Sequence, residues 1–411
     1  MNKVLCAADA RCGIGASMMI SALVYAVTWS GWASAAAAGS SPAENTGLEE
    51  IIVTAEKRES TVQATPIAMT ALSAGDLAEQ NIGSIQDLVG AVPGISLRTA
   101  GPGQTEYEMR GLGSAGGSVA TVGFYIDETP LSASAVALNG RTVIDADLYD
   151  LNRTEVLRGP QGTLYGAGSM GGTIKLVTNP PKLGTFEGSA AVDASQTTGG
   201  GTNGRGSLML NLPIGTIASL RLVTTGKYIS GWIDRKVIAD GQFPFPTNFG
   251  PCGVYYCDRG DVQNAPVAQH HTNSNLERFI SSRAALLVQP MENLSITGSF
   301  MYQRIDADGY NNYQSTGTVP RGDNSLYQPY DIKEPYYDAF HMFSLKVSYD
   351  MSFANLTSAS SYWKRDVYQN TDSTEALQNI NNLTGFIQNL YQEEDPTSQF
   401  SEELRLTSSG L

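Results

Sequence analysis

From residue 182 onward the chain alternates between apolar and polar positions with a period of two. Leu294, Ile296, Gly298, Phe300 and Tyr302 alternate with Ser295, Thr297, Ser299, Met301 and Gln303, and Phe343, Leu345, Val347 and Tyr349 alternate with Ser344, Lys346 and Ser348. Similar dyads occupy 185–197, 204–213, 217–232, 276–289, 353–369 and 398–408. Successive side chains of a strand point to opposite faces, so this pattern predicts about eight strands, each apolar on one side and polar on the other. Tight turns ("PIG", "QPMEN", "YDMSF") alternate with polar loops as long as 233–275.

Short turns at one end and long loops at the other are the pattern of a transmembrane β-barrel, and a soluble β-sandwich is the competing reading. Tyr228, Trp232, Tyr302, Tyr349, Phe353, Tyr362 and Trp363 fall near the predicted strand ends, where an aromatic girdle would sit.

The region 65–181 reads differently. Ser73 with Asp76 and Ser84 with Asp87 have capping-box spacing, and Pro93-Gly94 ends the second predicted helix. The short runs "ISLRT", "EYEMRG", "VGFYID", "TEVLRG" and "TIKLVT" are β-branched or aromatic, which predicts a small, turn-rich α+β domain. Ahead of it, "GSSPAENTGLEE" is small and polar, and Ile51, Ile52, Val53, Thr54 and Ala55 form a lone strand-like run. Lys3 and Arg11, the apolar run Ile14–Val27 and "WASAAAAGS" read as an export signal over 1–38, with Ala33-Ser34-Ala35 as one candidate cleavage site. The run is short for a bilayer-spanning helix.

Composition narrows the choice. The 43 glycines and 16% charged residues suit short strands joined by turns. A net charge of -14 with no Lys/Arg cluster argues against nucleic acid as a partner. Export would remove Cys6 and Cys12 and leave Cys252 and Cys257 in "PCGVYYCDRG", for which a disulfide is the expectation in an oxidising compartment. A metal site there would need two further ligands, and His270 and His271 keep that alternative open.

Gly166 to Gly171 fits the G-x-G-x-x-G spacing of a dinucleotide loop. That loop needs a helix behind it, whereas "TIKLVTNPP" is a β-branched strand closed by two prolines. The same spacing recurs at Gly111–Gly116 and Gly199–Gly204, and no G-K-[ST] is present. The glycines are therefore expected to serve tight turns and close backbone approach.

The ordered series "IIVTAEKRE", "TPIAMTALSAGDL", "VPGISLR", "MRGLG", "VGFYIDETPL", "EVLRGPQGTLYGAGSMGGTIKLVT" and "SEELRLTS" resembles the TonB-dependent outer-membrane receptors. The resemblance implies an α+β plug (60–181) inside an antiparallel transmembrane β-barrel (182–411), preceded by a signal peptide (1–38) and a periplasmic segment (39–59). It implies that Ile51–Ala55 is a TonB box, left free by the polar tract before it, which adds as a strand to the partner protein TonB. It implies a lock in which Arg110 and Arg158 of the plug meet glutamates of the barrel wall, Glu403 among them. The plug motif is carried by Gly159, Pro160, Gly162, Tyr165, Gly166, Gly171 and Gly172. The implied role is energised uptake of a scarce solute, most often a ferric siderophore, without catalysis, cofactor or resident metal. Vitamin B12, glycans and other chelates are alternatives within the same architecture, and a passive porin, an adhesin or a dinucleotide enzyme are alternatives outside it.

Tyr310, Tyr313, Tyr327, Tyr330, Tyr336 and Tyr337 could line an outer mouth or anchor loops, and Arg321 to Asp323 reads as a chance "RGD". The family barrel has 22 strands, whereas about eight are expected here, and eight cannot enclose a plug. The 411 residues are accordingly expected to be an incomplete reading frame whose open strand edges favour aggregation.

Overall fold

The structure is a computed structural model, and it describes residues 51–80, 82–113, 120–132, 142–166, 168–244, 261–312, 323–375, 377 and 387–408. The N-terminal domain begins with a two-residue ribbon, β1 (Ile52–Val53) against β2 (Ser60–Thr61). Strand β3 (Met69–Ser73) runs into the helix Ala74–Glu79, and the expected capping box is complete: Asp76 N donates to Ser73 Oγ at 3.2 Å while Ser73 N donates to Asp76 Oδ2 at 2.8 Å. The Ser84/Asp87 pair makes the same reciprocal bonds but introduces only a short helix, Leu88–Ala91, that stops before Pro93-Gly94.

Strands β4 (Ile95–Thr99) and β5 (Thr105–Met109) form a hairpin. Then come β6 (Val122–Ile126), β7 (Thr129–Pro130), β8 (Leu151–Arg158) and β9 (Gly172–Thr178), in a sheet of order β3-β8-β9-β6-β7. Within this sheet only β6 and β9 pair in parallel. Every residue from Val122 to Ile126 and from Gly172 to Leu176 is buried, because both faces of this sheet are covered. Phe124, Val156, Ile174 and Leu176 form the centre of its core.

The second region is an antiparallel sheet of eight long strands. They are β10 (Glu187–Gln196), β11 (Thr202–Ile214), β12 (Ala218–Ile229), β15 (Glu277–Met291), β16 (Leu294–Ala307), β18 (Tyr336–Asp350), β19 (Ala354–Asp372) and β20 (Leu390–Ser408). These are the eight dyad-patterned segments, though β18 starts at Tyr336 and β20 at Leu390, ahead of the Phe343 and Ser398 at which the alternation suggested they begin. The loops hold a small sheet of their own that the pattern did not indicate: β13 (Asp234–Ile238) lies between β14 (Val267–His271) and β17 (Ser325–Gln328), parallel to β17.

The outward face of the large sheet exposes Leu208, Ile280, Phe300, Phe343, Leu345, Leu404 and Leu406. Phe300 and Phe343 are cross-strand partners with ring centroids 4.8 Å apart. A continuous apolar face of this extent is stable against lipid and unfavourable in water. Facing inward are buried polar groups, including Asn211, Arg221, Gln303, Asp338 and Arg365.

Not all the inward face is polar. Met301, Phe340, Met342 and Trp363 join the core of the N-terminal domain. Trp363 therefore does not belong to a girdle; it is buried and donates from Nε1 to the Pro130 carbonyl at 2.9 Å. Its neighbour Tyr362 is exposed, as strand periodicity requires of adjacent residues. β10 and β20 each have one neighbour, so the sheet is open among the described residues.

Candidate functional site at the base of the N-terminal domain

Val53 and Ala55 are fully buried, packed with Met69, Leu157, Tyr125 and Tyr165. The segment Ile51–Ala55 is thus docked, which corrects the expectation of a free tether. The cause lies about 100 residues away in sequence. Glu155, on β8, accepts from the Thr54 amide at 2.9 Å and from its hydroxyl at 3.1 Å. Lys175, on β9, donates to the same hydroxyl at 3.0 Å, and Tyr165 donates to the Ala55 carbonyl at 2.9 Å. A strand this short has little stability of its own, and these side chains supply what the two-residue ladder lacks. Ile52 stays 55% exposed, so one residue of the segment is accessible from outside.

Two residues further on, Lys57 enters a closed cage in a left-handed conformation (φ 60°). Its ammonium lies 3.3 Å from Glu128, 3.1 Å from Glu403, and 5.2 and 5.0 Å from the ring centroids of Tyr125 and Tyr165. The two rings meet edge to face at 5.1 Å. Burial opposes ionisation of Glu128, but Lys175 and Lys57, with Lys346 and Arg405 beyond them, outweigh it and hold the carboxyl at about 2. Burial, reinforced by Glu403 and Glu128, pushes the Tyr125 phenol up to about 12. Lys57 consequently ties the N-terminal segment to both the domain (Glu128) and the large sheet (Glu403, on β20).

Among the described residues, neither Arg110 nor Arg158 forms an ion pair with a glutamate of the large sheet. Arg110 is exposed, with φ 53°, and its guanidinium lies over Gly159. Arg158 points to the carbonyls of Pro93 and Met69, at 3.4 and 3.5 Å. Glu403 pairs instead with Lys57 and, at 3.0 Å, with Arg405.

Apart from that one link, the ion pairs between domain and sheet have the opposite polarity, with arginines on the sheet and carboxylates on the domain. Asp150 takes Arg221 and, at 2.6 Å, Arg283; Asp147 takes Arg205 at 2.7 Å; Glu128 takes Arg405 at 3.6 Å. Arg365, held by Asp338 at 2.7 Å, also donates to the carbonyls of Gly103 and Thr142. The sequence carried a signal for this: these arginines stand at inward positions of strands whose other face is apolar.

The glycine-rich stretch closes on itself. Gly159 N donates to the Gly171 carbonyl at 2.9 Å, and Gly171 N to the Thr121 carbonyl at 2.8 Å. Pro160 is exposed, Gly162 opens a single helical turn, Gly162–Tyr165, and Gly166 (φ 76°) ends it. A Cβ on Gly172 would collide with the Leu157 carbonyl and the Met109 sulfur. β9 starts at Gly172 itself, so no helix stands behind the glycines and the dinucleotide reading fails.

Cys252 and Cys257, the segment 1–38 and Tyr313 lie outside the described residues. Among the described residues no three His, Cys, Asp or Glu side chains converge as metal ligands.

Residues 61–173 match the family described as TonB-dependent Receptor Plug Domain. That match assigns residues 61–173 to the plug-domain family of TonB-dependent receptors. The chain is 30% identical over 185 residues to the pesticin receptor of Yersinia pestis, an alignment covering 44% of this chain and 26% of that one. It is 28% identical over 190 residues to the ferripyoverdine receptor of Pseudomonas aeruginosa, covering 46% and 21%. In fold it is similar to the crystal structure of the ferric yersiniabactin uptake receptor FyuA from Yersinia pestis, with TM-score 0.60, 17% identity, and coverage of 84% of this chain and 46% of that one. The chain thus spans less than half the length of these relatives.

With residues 61–173 matched to a TonB-dependent receptor plug, the large sheet corresponds to the barrel wall. Several of the loop tyrosines are anchors. Tyr336 is buried and donates to the plug carbonyl of Gly103 at 3.0 Å, and Tyr310 donates to the Asn370 carbonyl at 2.9 Å. Tyr337 is 40% exposed and packs on Tyr368.

Proposed function

We propose that the protein is an outer-membrane receptor for TonB-energised uptake of a ferric siderophore. The names of its relatives, among them a ferripyoverdine receptor and a pesticin receptor, support the substrate class. The observation that carries the coupling half of the reading is the docked segment Ile51–Ala55, followed by Lys57 bridging plug and wall.

In this reading TonB takes Ile51–Ala55 as an added strand, starting from exposed Ile52, and its pull draws Thr54 from Glu155 and Lys57 from its cage. Loss of Lys57 removes one of the plug's two links to β20, the other being Arg405 on Glu128, and leaves Glu128 less compensated, which loosens the wet, charged side of the interface. Outer-membrane lipid meets the exposed face, and TonB with its inner-membrane complex supplies the work. The domain bounds expected from sequence belong to the same proposal.

Deletion of Ile51–Ala55 tests it. Surface abundance and siderophore binding should persist while uptake of radiolabelled ferric siderophore falls to background. Uptake that survives the deletion would point instead to a passive pore.

A further inference from the structure

On the side of the plug facing β10, β11, β12 and β15 lies a cavity of about 540 Å³, well within the size range of small-molecule sites. Its charge is unbalanced. Of its two bases, Arg205 is engaged by Asp147 at 2.7 Å and Lys227 by Glu277 at 2.7 Å. Among the described residues, Asp87, Asp145 and Asp193 on the lining form no ion pair. Asp87 spends its carboxylate on the amides of Gly83 and Ser84.

Asp145 is the informative one. Its Oδ2 accepts from the Gly103 amide at 2.6 Å and from Gln86 Nε2 at 3.4 Å, whereas its Oδ1 is buried with no hydrogen-bond partner. A buried carboxylate oxygen left unpaired costs free energy that a ligand donor would recover. Burial raises its carboxyl to about 6, against the opposing pull of the Gly103 amide, Lys227 and Arg365.

We propose that this cavity binds the ammonium group of an organic cation, with Asp145 as counter-ion; for a transported chelate, the group would be a protonated amine tail. The chemistry favours ammonium over a metal ion. One free carboxylate oxygen is a sufficient partner for an ammonium, while no set of three ligating side chains converges among the described residues. The same cavity already holds one ammonium in this way: Lys227 sits on Glu277 and 5.0 Å over the Phe279 ring.

The position also gives the occupant a route to a contact between plug and wall. Gly103, bonded through its amide to Asp145, accepts through its carbonyl from Arg365 and Tyr336 of the wall. A charge arriving at Asp145 therefore acts one peptide unit from a contact between plug and wall.

The amine-tail form of the proposal rests on the siderophore reading above, so the test has two arms, both on the full chain in detergent. In the first, thermal stability is followed with butylammonium and with butanol. Butylammonium, and not butanol, should raise the Tm of the wild type, and Asp145→Asn should abolish the shift. The carboxamide keeps an acceptor for the Gly103 amide, so folding is retained.

In the second arm, tryptophan quenching measures binding of a ferric trihydroxamate with a free ammonium tail, ferrioxamine B, and of its N-acetylated form. The ammonium form should bind about tenfold tighter, and Asp145→Asn should bring the two to parity. A butylammonium shift without binding of either chelate sustains the cavity and sinks the siderophore reading. Equal binding of both chelates with no butylammonium shift, or a preference that survives Asp145→Asn, overturns the cavity proposal.

Discussion

Replacing Lys57 by Met tests the cage most directly, because the aliphatic stem stays and only the ammonium is lost. The contributions separate by burial. The Glu403 partner is 38% exposed, so that pair is screened and counts for at most about 1 kcal/mol. The two tyrosine rings face a side chain that is 4% exposed, where a desolvated cation–π contact contributes about 1 kcal/mol or more. Glu128 keeps Lys175 at 3.1 Å and Arg405, so it is not stranded, and its loss stays below the ~3–5 kcal/mol of a broken lone pair. Together these give about 3 kcal/mol, or roughly a hundredfold rise in the opening of residues 51–57. Amide hydrogen exchange reads this at Thr54, whose N–H is closed onto Glu155, with Ile174 in the plug core as an internal reference. Thr54 should exchange about a hundredfold faster in Lys57→Met and no more than about fivefold faster in Glu403→Gln, with Ile174 unchanged in both. If Thr54 exchanges within twofold of wild type in Lys57→Met, the cage does not hold the segment and the reasoning is wrong.

Three further outcomes follow from the same geometry. Asp150→Asn should lower the urea midpoint for loss of plug tertiary structure, by an amount corresponding to about 3–5 kcal/mol, since it strips Arg221 and Arg283 of their shared counter-charge while Asn tolerates the φ of 62° found there; an unchanged midpoint would mean these pairs are solvated. Gly172→Ala should leave no protease-resistant plug, because the clash is with backbone and cannot be relieved by a rotamer change; a wild-type digestion pattern would refute the close approach. Asp145 gives a pH signature with a definite sign: its carboxyl is raised by burial from 3.8 to about 6, so the folded chain holds the proton more tightly than the unfolded one, and ionisation removes stability as pH climbs through that window. Asp145→Asn should therefore be more stable than wild type by about 3 kcal/mol at pH 7.5, and the difference should vanish below about pH 4; a constant gap in Tm at both pH values would contradict it.

The sheet was legible because lipid on one side and a polar lumen on the other impose a strict two-residue period, and a slip of one residue would invert every side chain. The same rule exposes the one misassigned girdle residue, since Tyr362 and Trp363 are adjacent and cannot share a face. The glycines were legible by elimination, from the strand that follows them. What could not be read was any partnership set by the third dimension. Docking of Ile51–Ala55 depends on Glu155, Tyr165 and Lys175, each about a hundred residues or more along the chain. The ion pairs of Asp147 and Asp150 depend on which wall residues face inward at their height, and nothing in the motif series pointed to them. The ribbon of β13, β14 and β17 escaped notice because its strands are short and its parallel pairing joins segments about ninety residues apart.

That ribbon makes the two longest excursions from the large sheet mechanically one. Backbone pairing of Asp234–Val237 with Ser325–Gln328, stiffened by Arg235 donating to the Ile332 carbonyl at 2.6 Å, means that neither excursion can swing without carrying the other. At its foot, Asn275 binds the amides of Trp232 and Ile233 and donates to Asn311, whose own amide reaches the Ala100 carbonyl of the plug at 2.8 Å. A displacement of either excursion is therefore shared with the other and passes to the plug through the same Asn311–Ala100 hydrogen bond.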